Sequence, residues 1–359
     1  MEKEILFITM HLPSPDVPEA GQKLVYSRLM KFIAENKKVH LVSFINEREL
    51  SYLDYSVYEK CSSINFFKLK NINRLCNFLR KPWLPISIAV RNDNRMYQCV
   101  KKIITDNKIK DIHIEYEQGI VLIPSSLLPE TTVVFHDIIS QSIKRYSEGE
   151  RNVVKKILLN MQLSLISRWE DNTLPYLREI VVLNKKDADL VTSKSINISK
   201  LSIDYPNVSE SFFNVKRDSV EYGNIMFWGA MNRKENIDAV FWFVNSIFPK
   251  IVEKEPNVKF FIVGANPPES VIKLGNGNII VTGFVENPVE YFERMQISVV
   301  PLRYGAGIKI KVLEALAARI PVVSTSVGAE GVTDVNGLLT IADDENYFAK
   351  KVICLFKKC

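Results

Sequence analysis

The sequence lacks the marks of membrane-spanning and secreted proteins. No apolar run in its 359 residues approaches the ~18 residues that a transmembrane helix needs. The N-terminal stretch MEKEILFITM carries acids and a short apolar run, which favours a first strand over a signal peptide. The five cysteines are widely spaced and form no Cys-x-x-Cys pair, so we expect neither a disulfide framework nor a zinc site. A protein of the reducing cytoplasm is therefore the expectation.

Residues that commonly bind metal ions are also scarce. The chain has only four histidines. Asp187 and Asp189 have the spacing of an Asp-x-Asp metal motif, but they open a predicted helix among lysines. Capping of that helix explains the two acidic residues better than metal binding does. We therefore predict no metal site.

What is present predicts an α/β protein. Hydrophobic residues make up 47% and charged residues 25% of the chain, and its length favours two domains over one. A strand over Glu4–Met10, a loop rich in proline, a helix from Gly21 to about Asn36 and a strand over Val39–Phe44 follow in order. This order is typical of doubly wound folds, in which ligands bind at the carboxyl ends of the strands.

A second series of alternating strands and helices begins at Asn224. A short strand before it ends in the turn sequence Tyr205-Pro206-Asn207-Val208. We place the domain boundary at this turn, so the predicted domains are 1–208 and 209–359.

One histidine follows a predicted strand directly. The strand Thr132–Phe135 ends on His136 and Asp137. Because the carboxyl end of a parallel strand faces the ligand crevice, we expect the His136 imidazole to bond a ligand hydroxyl and Asp137 to orient it. The alternative is a loop histidine that packs against a neighbour. His113 lies inside a strand, where packing is the expectation.

The net charge of +6 lies entirely within residues 1–208. The segment Phe66–Lys102 holds nine basic residues, one acid (Asp93) and the aromatic residue Trp83. Such a segment predicts contact with an anionic bilayer or a lipid-linked phosphate, with a solvated basic face as the alternative. No nucleic-acid-binding motif accompanies the charge, so nucleic acid is not an expected partner.

The stretch Val299–Gly331 predicts a strand, a glycine loop, a short apolar helix and a second strand. Gly305 and Gly307 let the loop backbone approach a ligand closely. The loop N–H groups, the helix N-terminus, Lys309 and Lys311 together favour a diphosphate. Glu314 lies on the same helix face as Lys311 and is placed to accept hydrogen bonds from a ribose. A surface Lys311–Glu314 ion pair is the alternative.

This stretch resembles the nucleotide-sugar site of the group 1 retaining glycosyltransferases, which have the GT-B fold. Gly305 to Glu314 fits the pattern G-x-G-[I/L]-[K/R]-x-K-x-x-E of a subset of that family. In other members a first Glu stands eight residues before the second, and that place is Ala306 here. The resemblance covers residues 220–345 well and the N-terminal half in outline.

The resemblance implies roles for residues elsewhere in the chain. The expected catalytic residues are His136, beside the transferred sugar, with Lys311 and Glu314. The expected donor-binding residues are Gly21, Gly229, Arg233, Lys234, Val285, Gly305, Ala306, Gly307, Ile308 and Lys309. The family's Arg and Lys positions after Gly229 are Ala230 and Glu235 here, so Arg233 and Lys234 are expected to supply the charge.

The implied fold is GT-B: two doubly wound, Rossmann-like domains facing across a cleft. The chain ends soon after a helix near Asn346, so the family's C-terminal crossover helix is expected to be missing. The implied activity transfers a sugar from a UDP- or GDP-sugar to an acceptor hydroxyl with retention, without a metal ion or other cofactor. The expected acceptor is a glycan or a lipid-linked molecule of cell-surface polysaccharide or glycolipid synthesis, in the cytoplasm or on the inner face of the cell membrane.

Two alternatives to this activity stay open. Ala306, the loose match at Arg233 and Lys234 and the short C-terminus allow a non-enzymatic or inactive member of the same fold. A nicotinamide-dependent dehydrogenase is disfavoured, because the third glycine of the G-x-G-x-x-G fingerprint is Ile310 here.

Overall fold

The structure is a computed structural model that describes residues 3–193, 200–334 and 336–357. The chain divides into two compact units, Met1–Tyr205 (unit 1) and Pro206–Cys359 (unit 2). Each unit has its own parallel sheet with helices around it. The predicted pair of doubly wound, Rossmann-like α/β units is therefore confirmed.

The sheet of unit 1, over the described residues, has seven parallel strands. They are β1 (Glu4–Thr9), β2 (Lys38–Ile45), β3 (Ser63–Lys68), β4 (Ile112–Glu115), β5 (Thr131–Phe135), β6 (Glu179–Val182) and β7 (Leu201–Ile203). Their order is β3-β2-β1-β4-β5-β6-β7, and the register pairs Thr9 with Glu115 and Glu115 with Val134. The strand order therefore reverses between β1 and β4, and at such a switch point doubly wound folds bind ligands.

Helices cover the sheet of unit 1. They are α1 (Ala20–Ala34), α2 (Asn71–Arg80), α3 (Ile86–Ala89), α4 (Asn94–Asn107), α5 (Ile139–Gly149), α6 (Val153–Thr173) and α7 (Lys185–Thr192). The strands read as nearly continuous apolar runs, and β1 and β5 are buried over most of their length. This burial is expected for parallel strands that are covered on both faces.

Unit 2 repeats the arrangement with six parallel strands in the described part of the chain. They are β8 (Asn224–Trp228), β9 (Lys259–Val263), β10 (Ile279–Gly283), β11 (Ile297–Val300), β12 (Val322–Ser324) and β13 (Leu339–Ile341). Their order is β10-β9-β8-β11-β12-β13, so the switch lies between β8 and β11. The helices are α8 (Glu210–Phe213), α9 (Lys234–Trp242), α10 (Phe248–Lys254), α11 (Glu269–Ile272), α12 (Val289–Arg294), α13 (Ile310–Ala317) and α14 (Glu345–Phe356).

Two predicted helices have different bounds. The helical region predicted over 144–178 is divided between α5 and α6, and Asn152 caps α6 by accepting from the backbone N–H of Lys155 (3.1 Å). The helix predicted over Ile237–Phe248 begins at Lys234 and continues through a π-helical turn, Phe243–Ile247, into α10. Within the three described ranges, no helix is both long and apolar enough to cross a membrane.

Candidate functional site

The candidate site of unit 2 lies where two loops leave the carboxyl ends of β8 and β11. The first loop runs from Gly229 to Arg233 and leads into α9. The second loop, residues 301–309, leads into α13. Because β8 and β11 flank the switch point of the sheet, both loops lie where this fold class binds ligands.

The side chain of Lys311 lies directly under the first loop. Its Nζ donates to Oδ1 of Asn236 (2.7 Å) and lies 4.4 Å from the ring centroid of Phe227. A Cβ atom added at Gly229 would be 2.7 Å from this ammonium, a distance that real Cβ contacts do not show. Glycine at 229 therefore leaves room for the present position of Lys311, which the sequence pattern did not indicate.

The environment of Lys311 disfavours its positive charge. Burial lowers its pKa from 10.5 to about 7, and repulsion by Arg233 and Lys309 adds to the effect against the opposing attraction of Glu235 and Glu314. Its hydrogen-bond acceptor, Asn236, is a neutral amide. A buried ammonium of this kind is stabilised when an anion arrives beside it. In this geometry Lys311 donates to Asn236, and its contact with a diphosphate stays a prediction.

Glu314 is positioned by a tryptophan at the end of β8. Nε1 of Trp228 donates to Oε2 of Glu314 (2.7 Å), and the Glu314 side chain is half-buried. Lys311 and Glu314 lie three residues apart on α13, so both project from one face of the helix. The structure thus places a cation and an oriented carboxylate side by side at the switch point.

The glycine loop before α13 is closed by its own lysine. Nζ of Lys309 donates to the carbonyl oxygens of Ala306 (2.9 Å) and Gly307 (2.6 Å). Gly305 and Gly307 have φ values of 108° and 73°, a region that glycine adopts without strain. In the structure Lys309 shapes the loop, and its contact with a diphosphate stays a prediction. Ile308 lies half-buried in the same loop.

The carboxyl ends of β9 and β10 complete the edge of the candidate site. A Cβ atom at Gly264, after β9, would lie 1.9 Å from the carbonyl oxygen of Gly229, so these two backbones are in contact. The N–H of Gly264 donates to Gly283 at the end of β10 (3.1 Å). Val285 follows two residues later and packs partly against the core of unit 2. The turn that holds Val285 therefore follows β10, which lies two strands away from β8 and Gly229.

The predicted cations of the first loop differ in position. Arg233 is the residue before α9, is exposed and is close enough to Lys311 to lower its pKa. Lys234 is the first residue of α9 and is also exposed. Arg233 therefore joins the group around Lys311, while a contact of Lys234 with a donor stays a prediction.

A second group lies in unit 1, around Glu115 at the end of β4. Nη1 of Arg28 donates to both carboxylate oxygens (2.8 and 2.9 Å), and Nη2 donates to Asp204 (2.6 Å). Nε2 of His113 and Nε2 of His136 lie 2.8 and 2.7 Å from the Glu115 oxygens. His113 is buried in β4 as expected and stacks on a phenylalanine. His136 thus has Glu115 as a partner, and its orientation by Asp137 stays a prediction.

The charge of Glu115 determines the tautomer of His136. Burial raises the pKa of this carboxyl, but Arg28 and the hydrogen bonds from His113 and His136 outweigh burial and hold the pKa well below 4.5. An ionised carboxylate only accepts hydrogen bonds, so His136 must present an N–H at Nε2. In the neutral imidazole, Nδ1 is then a hydrogen-bond acceptor.

Nδ1 of His136 faces Gly21. A Cβ atom at Gly21 would lie 3.9 Å from Nδ1 and 3.6 Å from the hydroxyl of Tyr116. Gly21 is in the first turn of α1, so it widens the space beside His136. Tyr116 stacks on His136 at 4.0 Å and has a φ of 73°, which few non-glycine residues adopt. Backbone strain of this kind concentrates at functional sites.

The Asp-x-Asp pair has a structural role. Asn184, not an aspartate, is the N-cap of α7 and accepts from the backbone N–H of Asp187 (2.9 Å), while Asp187 accepts from Nδ2 of Asn184 (2.7 Å). Asp189 pairs with Lys185 (2.7 Å). In the described parts of the chain, no three His, Cys, Asp or Glu side chains are grouped to hold a metal ion.

Sequence reasoning missed four of the residues that build these groups. They are Arg28, Glu115, Trp228 and Asn236. Glu115 and Trp228 had a usable signal, since each ends a strand that flanks a switch point. Arg28 and Asn236 lie within helices, where the sequence does not show which side chain reaches a site.

Comparison with known proteins bears mainly on unit 2. The family model described as Glycosyl transferases group 1 matches residues 223–358. A protein of Klebsiella pneumoniae, described as an uncharacterized 44.6 kDa protein in the cps region, is 29% identical over 189 residues. That alignment covers 47% of this chain and 49% of the relative, so it spans about half the length of each.

Solved structures are similar to the whole chain in fold. TarM has a TM-score of 0.65 at 11% identity, over 99% of this chain and 92% of its own. A glycosyltransferase of Rickettsia africae has a TM-score of 0.61 at 10% identity, over 99% and 89%. The Anabaena protein HepE, in complex with UDP and glucose, has a TM-score of 0.59 at 12% identity, over 99% and 90%.

Proposed function

We propose that the chain transfers a sugar from a nucleoside-diphosphate sugar to an acceptor hydroxyl with retention of configuration. The match of residues 223–358 to the family model described as Glycosyl transferases group 1 supports this proposal. The observation that carries the proposal is the partly buried ammonium of Lys311, which lies beside Glu314 at the switch point of unit 2. The relationship to HepE, which binds UDP and glucose, supports a UDP-sugar as donor, and a GDP-sugar is the second candidate.

The proposed chemistry follows from charge development. As the bond from the anomeric carbon to the diphosphate breaks, positive charge grows on the sugar and negative charge on the diphosphate. Lys311, Arg233 and the N–H groups of the glycine loop are positioned to stabilise the leaving diphosphate. The proton of the acceptor hydroxyl leaves as its oxygen bonds the anomeric carbon, and the departing diphosphate oxygen accepts it. Glu314 is proposed to bind the ribose.

The group around Glu115 is proposed to bind the transferred sugar. His136 has an acceptor at Nδ1, and the space beside Gly21 leaves room for a hydroxyl. Glu115 is a positioning residue, because it acts through His136. The acceptor is proposed to be a glycan or a lipid-linked molecule of cell-surface polysaccharide synthesis, handled at the cytoplasmic face of an anionic membrane. The cps-region relative supports the polysaccharide part of this proposal.

Turnover of nucleotide sugars tests the proposal. We expect release of UDP or GDP from one of a panel of nucleotide sugars, with and without EDTA, because fixed cations replace a metal ion at the leaving group. NMR of the product should show the anomeric configuration of the donor. Loss of turnover in EDTA, restored by Mg²⁺, would contradict the metal-independent mechanism. Absence of both turnover and nucleotide binding would favour a non-enzymatic member.

Glu314→Gln should weaken binding of the nucleoside diphosphate by about 1–3 kcal/mol, the usual cost of losing hydrogen bonds to a charged group. The amide oxygen of Gln can still accept from Trp228, so the fold should persist. Calorimetric titration with UDP and GDP measures the effect. Glu269→Gln, at an exposed carboxylate of the same unit, is the matched control. Equal affinities of the two variants would show that Glu314 does not bind the nucleoside diphosphate.

A further inference from the structure

Helix α2 of unit 1 has its apolar side chains on the outside. Ile72, Leu75 and Leu79 are 61%, 53% and 64% exposed, although they lie along one stripe of the helix. The one fully buried residue of α2 in the structure as described is Asn77, whose side-chain amide donates to the carbonyl of Val90 (3.2 Å). An ordinary surface helix has the opposite arrangement, with its polar face toward solvent.

Helix α6 also exposes apolar side chains. Its first two turns expose Val153, Val154, Ile157, Leu158 and Met161 by 50% to 71%. These positions also share one face of their helix, because they repeat at intervals of four residues. Only the later part of α6 reaches the core, through Ile166 and Glu170 in the described chain.

The two stripes are joined by the segment that follows α2. The backbone N–H of Ile86 donates to Oε1 of Gln162 in α6 (2.8 Å). Leu84 and Leu163 pack in one small cluster beneath the surface. Trp83, 66% exposed, and Ile86, 47% exposed, lie between the stripes. We call the exposed apolar side chains of α2, Trp83, Ile86 and the first two turns of α6 the α2–α6 surface.

The two segments that form the α2–α6 surface carry charged residues of a single sign. Residues 70–86 contain four basic and no acidic residues, and residues 151–161 contain three basic and no acidic residues. Their basic residues are Lys70, Arg74, Arg80, Lys81, Arg151, Lys155 and Lys156. A contact of this surface with its own copy would bring like charges together, which disfavours a dimer. An anionic bilayer offers both an apolar interior and the opposite charge.

We propose that the α2–α6 surface docks unit 1 on an anionic lipid bilayer, with the apolar side chains among the acyl chains and the lysines and arginines at the headgroups. The inference rests on the proposed function for the lipid-linked acceptor and extends it. The sequence had indicated only the basic segment Phe66–Lys102, whereas half of this surface comes from α6. Aromatic and aliphatic side chains flanked by basic residues are typical of helices that lie in the membrane interface.

Co-sedimentation with vesicles tests the docking surface. Vesicles of phosphatidylcholine with and without phosphatidylglycerol are compared at low and high salt, and wild type should bind the anionic vesicles at low salt. The variant Leu79→Glu/Leu158→Glu should bind at least about tenfold more weakly, since two acids enter the apolar contact. Both side chains are exposed, so the fold should be kept. Ile272→Glu in unit 2 is the matched control, because Ile272 is 53% and Leu158 is 52% exposed.

The outcomes separate the docking surface from the proposed function. Wild type that stays in the supernatant, or a double variant that binds as Ile272→Glu does, would overturn the docking proposal. A dimer in vesicle-free solution that the double variant dissociates would overturn it in favour of a second copy. UDP binding by calorimetry on the same preparations should be equal in all three proteins. If no protein binds nucleotide while wild type still binds vesicles, the proposed function fails and the docking surface stands.

Discussion

Lys311→Met should lower the rate of sugar transfer about 10²–10³-fold, the usual loss when one fixed group that stabilises developing negative charge is removed. Methionine has a similar length and fits beneath Gly229, so the loop should keep its position. The free energy of unfolding should stay the same or rise at neutral pH, because the fold no longer holds a desolvated ammonium. Turnover and thermal unfolding are measured on the same protein.

The pH dependence of donor binding distinguishes a charged Lys311 from a merely structural one. Its pKa of about 7 means that the ammonium loses its proton as the pH rises above 7. A bound diphosphate favours the charged form, so wild type should take up a proton on binding. Affinity should then fall by up to about tenfold per pH unit above pH 7. Lys311→Met should lack this part of the pH dependence.

The stability of the free protein should show the opposite trend. The pKa of Lys311 is lowered in the folded state, so the unfolded chain binds more protons between about 7 and 10.5. The contribution of Lys311 to stability therefore improves as the pH rises through this window. Lys273→Met is the control, because Lys273 is exposed and pairs with Glu269 in the same unit. A Lys311→Met enzyme that keeps full turnover would remove Lys311 from the mechanism.

The sequence was sufficient to predict the glycine loop of unit 2 and its strands except β13. Short apolar runs such as β8 and β12 were expected to be strands, because buried parallel strands need an apolar run of a few residues. Lys311 and Glu314 were predicted on one helix face from their spacing alone. These features depend on neighbouring residues, which the sequence displays directly.

The group around Glu115 could not be predicted, because it depends on contacts between distant residues. Arg28 is 87 residues away from Glu115 along the chain. Their contact requires β4 to lie beside β1, which follows from the strand order and not from any local pattern. The orientation of α2 was missed for a related reason. Its apolar stripe predicts a buried face, whereas the structure buries Asn77 and leaves the stripe exposed.

Glu115→Leu should lower the free energy of unfolding by about 3 kcal/mol, because removing one partner of a buried ion pair leaves the other charge uncompensated. Arg28, His113 and His136 would then direct their N–H groups at an apolar side chain. The loss should lie at the lower end of the range for buried pairs, since Asp204 still accepts from Arg28. Urea unfolding measures it.

A carboxylate with neutral partners provides the control for Glu115. Glu179, in β6 of the same sheet, accepts from the hydroxyls of Ser202 (2.8 Å) and Thr132 (3.5 Å). Glu179→Gln keeps an acceptor there and should cost less than about 1.5 kcal/mol, the upper value for an ordinary hydrogen bond. Equal losses in the two variants would show that the Glu115 charge contributes nothing beyond a hydrogen bond.

The difference in stability between wild type and Glu115→Leu should depend on pH, in a direction set by the pKa of Glu115. The pKa of Glu115 lies well below 4.5 in the folded protein, so its contribution to stability is complete above 4.5 and is lost as the pH falls further. The difference between wild type and Glu115→Leu should therefore shrink below pH 4.5 and be constant from there toward neutral pH. A difference that persists unchanged in acid would mean that packing of the side chain, and not its charge, holds Arg28, His113 and His136 together. Glu115 also fixes the tautomer of His136. The same variant should therefore lose turnover even without denaturant, when it is still folded.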